Sequence, residues 1–261
     1  MQYYGFFAKI GNVKINELEK NLIFSLFEIQ ACFETEAKAA YWITSSLKKE
    51  RISKIRNGLY ALVNPATGLI YADKFMLGSN IIEKGYIAYQ GALEFHGFAN
   101  QVFNHIFVAS KNRFYGFEYG GIIYERVQSV IPDGVITVKS SCDIRVTDLE
   151  RTVIDCIDDT LRAGGAEELL TAMSYIKKLD YEKILQYLKA YNKNNLWQKA
   201  AYLFEKMKNV LKFPKVFFDE CQKGVSKRVI YFLNNDNYGQ TSFNKEWNII
   251  APVKLGAEVL Q

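Results

Sequence analysis

Hydrophobic and polar positions follow two rhythms in the first quarter of the chain. Over residues 15–30, Ile15, Leu18, Leu22, Leu26 and Ile29 recur at three- and four-residue intervals, which predicts an amphipathic helix with Asn16 as its cap. After a short turn over residues 31–34, Thr35 is placed to cap a second helix whose first turn carries Glu36. Ala37, Ala40, Ile43 and Leu47 make its predicted inward face, and Lys38, Trp42, Ser45 and Lys49 its outward one. The period then falls to two, with residues 52–55 and 59–63 flanking Arg56-Asn57-Gly58, where Asn-Gly signals a tight hairpin. Two helices joined by a short turn and followed by a hairpin predict a winged helix-turn-helix over residues 1–64.

Residues 64–68, with Asn64, Pro65 and Gly68, break the pattern and place a domain boundary before residue 65. Beyond it, helices are predicted near residues 70–83, 88–97, 148–162, 164–176, 180–192 and 195–210. Runs rich in aromatic and branched residues predict strands at 105–109, 114–119, 121–127, 134–138 and 144–146. Strands grouped together and then followed by helices argue for a larger C-terminal α+β domain over residues 65–261, with a mixed or antiparallel sheet and a helical segment.

Composition narrows the partners. The chain has 261 residues, 49% hydrophobic and 23% charged, enough for a sizeable core. The net charge is +5, of which residues 1–64 supply +3, from nine basic against six acidic side chains. Between residues 38 and 56, six basic residues stand against Glu50 alone. Sequence-independent affinity for DNA comes from neutralised phosphates, so Lys38, Trp42, Ser45, Lys48, Lys49, Arg51, Lys54 and Arg56 are the candidate DNA-binding residues. The plainer alternative is a solvated lysine face on a small core helix. No apolar run reaches the roughly eighteen residues of a membrane span, and the N-terminus lacks a secretory pattern, so a cytoplasmic protein without membrane contact is expected. Cys32, Cys142, Cys156 and Cys221 are scattered, and His96 and His105 are the only histidines, so neither a disulfide framework nor a metal site is indicated.

Several landmarks stand in a set order. Arg56-Asn57-Gly58-Leu59-Tyr60 closes the hairpin, and Tyr86 to Gly97 carries Ala92-Leu93 before a glycine. Glu150-Arg151-Thr152 and Asp155 come next, then Gly164-Gly165, and Trp247 stands within the stretch from Phe243 to Pro252. In this order and spacing, residues from about 33 to 255 resemble the AbiEi-type antitoxins, transcriptional regulators of type IV abortive-infection toxin-antitoxin systems. Asn57 stands where that family more often has a basic residue, and Gln198-Lys199-Ala200-Ala201 replaces an expected arginine-glycine before Tyr202-Leu203. The resemblance implies a winged helix that represses its own operon by binding operator DNA. It also implies a C-terminal domain that neutralises a nucleotidyltransferase-like toxin without a stable complex.

Other constellations are weighed on their chemistry. Glu150, Arg151, Thr152 and Asp155 open a helix with Thr147 or Asp148 as cap, where an internal Arg151 ion pair is the simple reading and a groove serving antitoxin action the functional one. Pro132-Asp133 precedes a strand as in restriction-type nucleases, but Thr137 sits where the second acid is needed, so a turn is the better reading. His96 is placed to cap a helix end. Lys206, Lys208, Lys212, Lys215, Lys223, Lys227 and Arg228 are diluted by Glu205, Asp219 and Glu220 and read as a solvated face. Without a glycine-rich phosphate loop, nucleophile elbow or usefully spaced acid pair, no enzymatic activity, cofactor or metal is expected. The expected function is a DNA-binding antitoxin and autorepressor. The alternative is a winged-helix regulator whose C-terminal domain senses a ligand or dimerises.

Overall fold

Strand β1 (Ile23–Ser25) leads into helix α1 (Leu26–Ala31), helix α2 (Glu36–Lys48) comes next, and strands β2 (Ile52–Arg56) and β3 (Leu59–Leu62) form a hairpin. The structure, a computed structural model, describes residue 18, residues 20–233 and residues 239–255. The helix expected over residues 15–30 is not continuous: Asn16 lies outside the described residues, and β1 stands between Leu18 and α1. Ser25 is the cause. Its hydroxyl accepts the Glu28 N–H at 3.2 Å while its own N–H donates to the Glu28 carboxylate at 2.7 Å, a capping box that starts a new helix.

The three strands form one antiparallel sheet in the order β1-β3-β2, covered on both faces. Ile23, Ile55, Leu59 and Ala61 pack towards Leu77, Ile81 and Ile87 of the chain beyond the hairpin, and Phe24, Ile52 and Tyr60 pack against Ile29, Ala39, Trp42 and Ile43 of the helices. Strand alternation produces this split, since Ile23 pairs with Ala61 and Phe24 with Tyr60. Residues 64–68 form the predicted turn, in which the Asn64 carbonyl accepts the N–H groups of Thr67 and Gly68 at 3.1 and 2.8 Å. Apolar packing nevertheless runs on across that point.

Helix α2 begins where the sequence predicts, with the Thr35 hydroxyl accepting the Lys38 N–H at 3.3 Å. Its inward face is the predicted one only in part: Ile43 is buried and Leu47 packs against the same cluster, but the two alanines do not. Ala39, Trp42, Ile43 and Ser46 form the buried row, while Ala37 and Ala40 are exposed. Trp42 is only 7% exposed and packs beside the rings of Phe24 and Phe33 at 6.4 and 6.0 Å. Burying an indole removes roughly 150–250 Å² from water at about 25 cal/mol per Å², far more than two alanines offer, so the helix turns to bury Trp42.

The larger part continues with α3 (Lys74–Asn80), β4 (Tyr86–Ala88), α4 (Tyr89–Phe95), β5 (His105–Ser110), β6 (Phe117–Tyr119), β7 (Ile122–Gln128), β8 (Val135–Val138) and β9 (Ile144–Thr147). A six-stranded mixed sheet runs β6-β7-β5-β4-β9-β8. Five of these strands lie on the predicted runs. The central β4 was not predicted, because it has three residues and no loop after it: Tyr89, at φ 57°, turns the chain straight into α4. One face of the sheet (Ile87, Ile106, Val108, Val146) meets α3 and the N-terminal sheet. The other (Tyr86, Ala88, Phe107, Ala109) meets Val153, Ile154 and Ile157 of helix α5 (Leu149–Asp158).

Helices α6 (Ala166–Tyr175), α7 (Tyr181–Tyr191), α8 (Asn194–Lys206), the short α9 (Lys208–Leu211) and α10 (Lys215–Gly224) complete that layer. A second small sheet, β10 (Ile230–Tyr231), β11 (Thr241–Asn244) and β12 (Ile249–Pro252) in the order β10-β12-β11, docks on α8 through the buried Trp247. Its indole N–H donates to the Glu205 carboxylate at 2.7 Å. The class is α+β with a mixed sheet, and no helix among the described residues is long and apolar enough to cross a membrane.

Trp42→Ala is expected to lower unfolding free energy by about 3–5 kcal/mol, whereas Ala37→Ser stays within about 0.5 kcal/mol. Equal effects in urea denaturation would instead restore the predicted alanine face.

Candidate nucleic-acid interface

Once Trp42 turns inward, the outer surface of α2 is set. Tyr41 becomes 77% exposed, flanked by the small exposed Ala37, Ala40 and Thr44, and Lys48 and Lys49 close the helix in solvent. Lys54 is exposed on the outer face of β2, and Ser45 is half-buried at the edge of the row. Lys38 pairs with the Glu34 carboxylate one turn earlier, which offsets its charge. Arg51 is half-buried at the entry to the hairpin, where its N–H donates to the Ser46 carbonyl and its carbonyl accepts the Val63 N–H, both at 2.9 Å. The structure thus leaves Lys48, Lys49 and Lys54 exposed and removes Trp42 from the surface. Tyr41 was missed; the signal available was that Trp42 and Tyr41 cannot share a face, so burying the first exposes the second.

Arg56 is also displaced from its predicted role, by a bulge. Lys54 pairs with Tyr60 but Arg56 with Leu59, so the register slips by one residue and puts Ile55 and Arg56 on the same face. Gly58, at φ 76°, closes the turn. The Arg56 guanidinium then points into the molecule, donating from Nη2 to the Ile81 carbonyl at 2.9 Å and lying 5.5 and 5.7 Å from the rings of Phe114 and Phe117. Burial pushes its pKa down. Alongside, the Tyr119 hydroxyl donates to Ser53 Oγ at 2.9 Å, so β6 runs beside β2.

The second predicted cluster lies inside the core. Asp148 caps α5, accepting the Arg151 N–H at 2.8 Å and the Tyr187 hydroxyl at 2.7 Å, while Lys183 lies 3.3 Å away. Arg151 and Asp155 are each 2% exposed and joined at 2.6 Å. The same guanidinium donates to the carbonyls of Asp133 at 2.7 Å and Ile131 at 3.3 Å, and Tyr191 donates to Asp155. Burial opposes the Arg151 charge, but the Asp155 carboxylate and the Tyr191 oxygen outweigh it and raise its pKa. Thr152 is buried against Thr147, at 2.7 Å between hydroxyls, and Glu150 reaches out to accept the Asp180 N–H at 3.0 Å. These four residues tie α5 to α7 and to the turn at Pro132-Asp133-Gly134. His96 caps the end of α4 as expected, its backbone N–H donating to the Ala92 carbonyl at 3.0 Å, but its imidazole bonds the Thr147 carbonyl at 2.7 Å rather than one of its own helix.

A cleft of about 690 Å³ opens between the start of α8 and β10, lined by Asn194, Asn195, Lys199, Arg228 and Tyr231. Gln198 forms its buried floor, donating to the carbonyls of Arg228, Trp247 and Asn248 at 3.0, 3.1 and 3.1 Å. Burial lowers the pKa of Lys199, whose ammonium lies 6.0 Å over the Phe232 ring. Most of the second basic run is spread over separate elements, with Lys223 paired to Glu220.

The chain thus belongs structurally to mixed α+β proteins that join a small helix-and-hairpin unit to a larger sheet. No family model and no curated protein matches the chain. Among solved structures it is similar to the crystal structure of the Rv2827c protein from Mycobacterium tuberculosis, with a TM-score of 0.64 and 11% sequence identity over 94% of this chain and 92% of that one. The likeness is one of fold.

Arg151→Ala is expected to cost about 3–5 kcal/mol by leaving Asp155 buried and unpaired, and Arg151→Met combined with Asp155→Leu to regain most of it. Denaturant midpoints of the two variants check this, and an Arg151→Ala protein of full stability would contradict it.

Proposed function

We propose that this protein is a DNA-binding antitoxin that represses its own operon. In this reading residues 1–64 form a winged helix-turn-helix on operator DNA, and residues 65–261 oppose a nucleotidyltransferase-like toxin. The observation that carries the DNA half is the outer surface of α2 and β2. It is a helix face of small residues around Tyr41, ending in Lys48 and Lys49 and continued by Lys54 on an adjoining hairpin. Small side chains let a helix backbone enter a major groove, and the lysines meet phosphates on its rim. The chain order strand, helix, helix, hairpin, with β3 central, supports a winged helix. The ordered landmarks from Arg56 to Trp247 support the antitoxin half through their resemblance to AbiEi-type antitoxins. Burial of the Arg151–Asp155 pair favours neutralisation from elsewhere on the surface.

The full chain carrying Lys48→Ala, Lys49→Ala and Lys54→Ala should bind any duplex more weakly and lower the slope of log affinity against log salt by about 2–3. Arg56→Ala should lower stability with little change in that slope. A folded triple variant with an unaltered salt titration would remove the DNA reading. Rescue of cells expressing a neighbouring nucleotidyltransferase-like toxin tests the antitoxin half, which fails if the intact protein gives no rescue.

The cleft holding Lys199 and Arg228 favours a second reading, a regulator that senses a small anion. Nucleoside triphosphates or inorganic phosphate raising the melting temperature of the native chain but not of Lys199→Met would support it.

A further inference from the structure

The segment between β5 and β6, residues 111–116, is a surface loop held with unusual firmness. The Arg126 guanidinium on β7 donates to the carbonyls of Ser110 at 3.0 Å, Lys111 at 3.3 Å and Asn112 at 2.9 Å, and the Ser110 hydroxyl donates to the Asn112 carbonyl at 2.5 Å. At its far end Gly116 lies so close to β7 that an added Cβ would stand 3.2 Å from the Tyr124 carbonyl oxygen. What this framework presents to solvent is Lys111, Arg113 and Tyr115, the last 94% exposed. The loop contains no acid, and no carboxylate of the described residues pairs with either cation.

Its position is fixed by the neighbouring contacts. Tyr119 meets Ser53 and Phe117 meets Arg56, so moving back along β6 is moving along β2 towards the hairpin turn. One step further, Phe114 lies beneath the same Arg56 guanidinium. Phe114, in the middle of the loop, thus anchors it beside the inward-turned Arg56 side chain of the hairpin. Glu118 alternates away from this contact, because Phe117 and Tyr119 occupy the face turned to the hairpin.

We infer that the loop of residues 111–116 is a second DNA-contacting element, in which Lys111 and Arg113 meet phosphates and Tyr115 packs on a sugar edge on the side of the molecule where the loop meets the hairpin strand β2. This rests on the proposed DNA reading and extends it into the larger domain. A fixed loop loses little conformational freedom on binding, and an exposed tyrosine between cations suits a sugar-phosphate edge better than bulk water. Arg56 gains a role as well: turned inward, it is a positioning residue that holds hairpin and loop together.

The test uses the full chain and a labelled random duplex of about three helical turns, long enough to pass beyond the hairpin. Lys111→Ala with Arg113→Ala should weaken binding roughly tenfold near physiological salt and lower the salt slope by about 1–2. Tyr115→Ala should weaken it several-fold without changing the slope. Since all three side chains are exposed, melting temperatures should not move. Lys48→Ala with Lys49→Ala serves as the reference. Losses in both sets support the inference. Loss in the reference alone, with loop variants binding as the native chain does, overturns the inference and leaves the α2 reading standing. No loss in either set, or no binding by the native chain, overturns both. Loss in the loop variants alone keeps the loop as a DNA contact and removes α2 from the interface.

Discussion

The structure depends on one sheet that is buried on both faces. Strands β1, β3 and β2 carry Ile23, Leu59 and Ala61 towards the large domain and Phe24, Ile52 and Tyr60 towards the helices, so neither set can turn to solvent without emptying a core. The orientation of α2 is one result, because Trp42 fills the space over Phe24. The inward course of Arg56 is another: a one-residue slip beside the turn puts a cation on the covered face, where the Ile81 carbonyl and two aromatic rings receive it. A hairpin expected to project freely is instead fastened along the edge strand β6.

A second constraint operates on the opposite side of the large sheet. Helix α5 inserts a guanidinium among apolar neighbours, where Asp155 and the carbonyls of Ile131 and Asp133 receive it and the Tyr191 hydroxyl completes the Asp155 carboxylate. Such a pair adds little net stability compared with well-packed apolar residues, but it tolerates only one arrangement of the helix, the β7–β8 turn and α7. Residues that contribute to the chain's resemblance to a family are therefore a packing device here.

Much of the fold was legible. Thr35, the Asn57-Gly58 turn, Asp148 and the aromatic runs marked elements that the structure places within a few residues. The differences have identifiable reasons. Leu22, Leu26 and Ile29 fit a helical stripe, but residues 23–25 also fit a strand, and the capping box at Ser25 decides between them. Two rows of α2 could each pass for the apolar one, and only the weight of an indole against alanines separates them. The bulge at Ile55 leaves no mark in composition, so Arg56 read as an outward wing residue. The three-residue β4 runs into α4 with no turn to mark its end, and β10 has only two residues; β11 and β12, as long as β8 and β9, were missed although length did not hide them. For the candidate interface, charge was legible and direction was not: Lys48, Lys49 and Lys54 stay outside, while Trp42 and Arg56 needed the tertiary contacts.

The doubly covered sheet has a consequence for how the molecule opens. Separating α2 from β3 uncovers one face and separating the hairpin from α3 uncovers the other, so either motion strips a core from the same three strands. The small N-terminal unit and the large sheet are therefore expected to open as one cooperative block, with amides that exchange together and slowly. The β10–β12 sheet, attached to α8 through Gln198 and Trp247, shares no strand with that block. It is the part that can detach first, leaving the helix and hairpin in place.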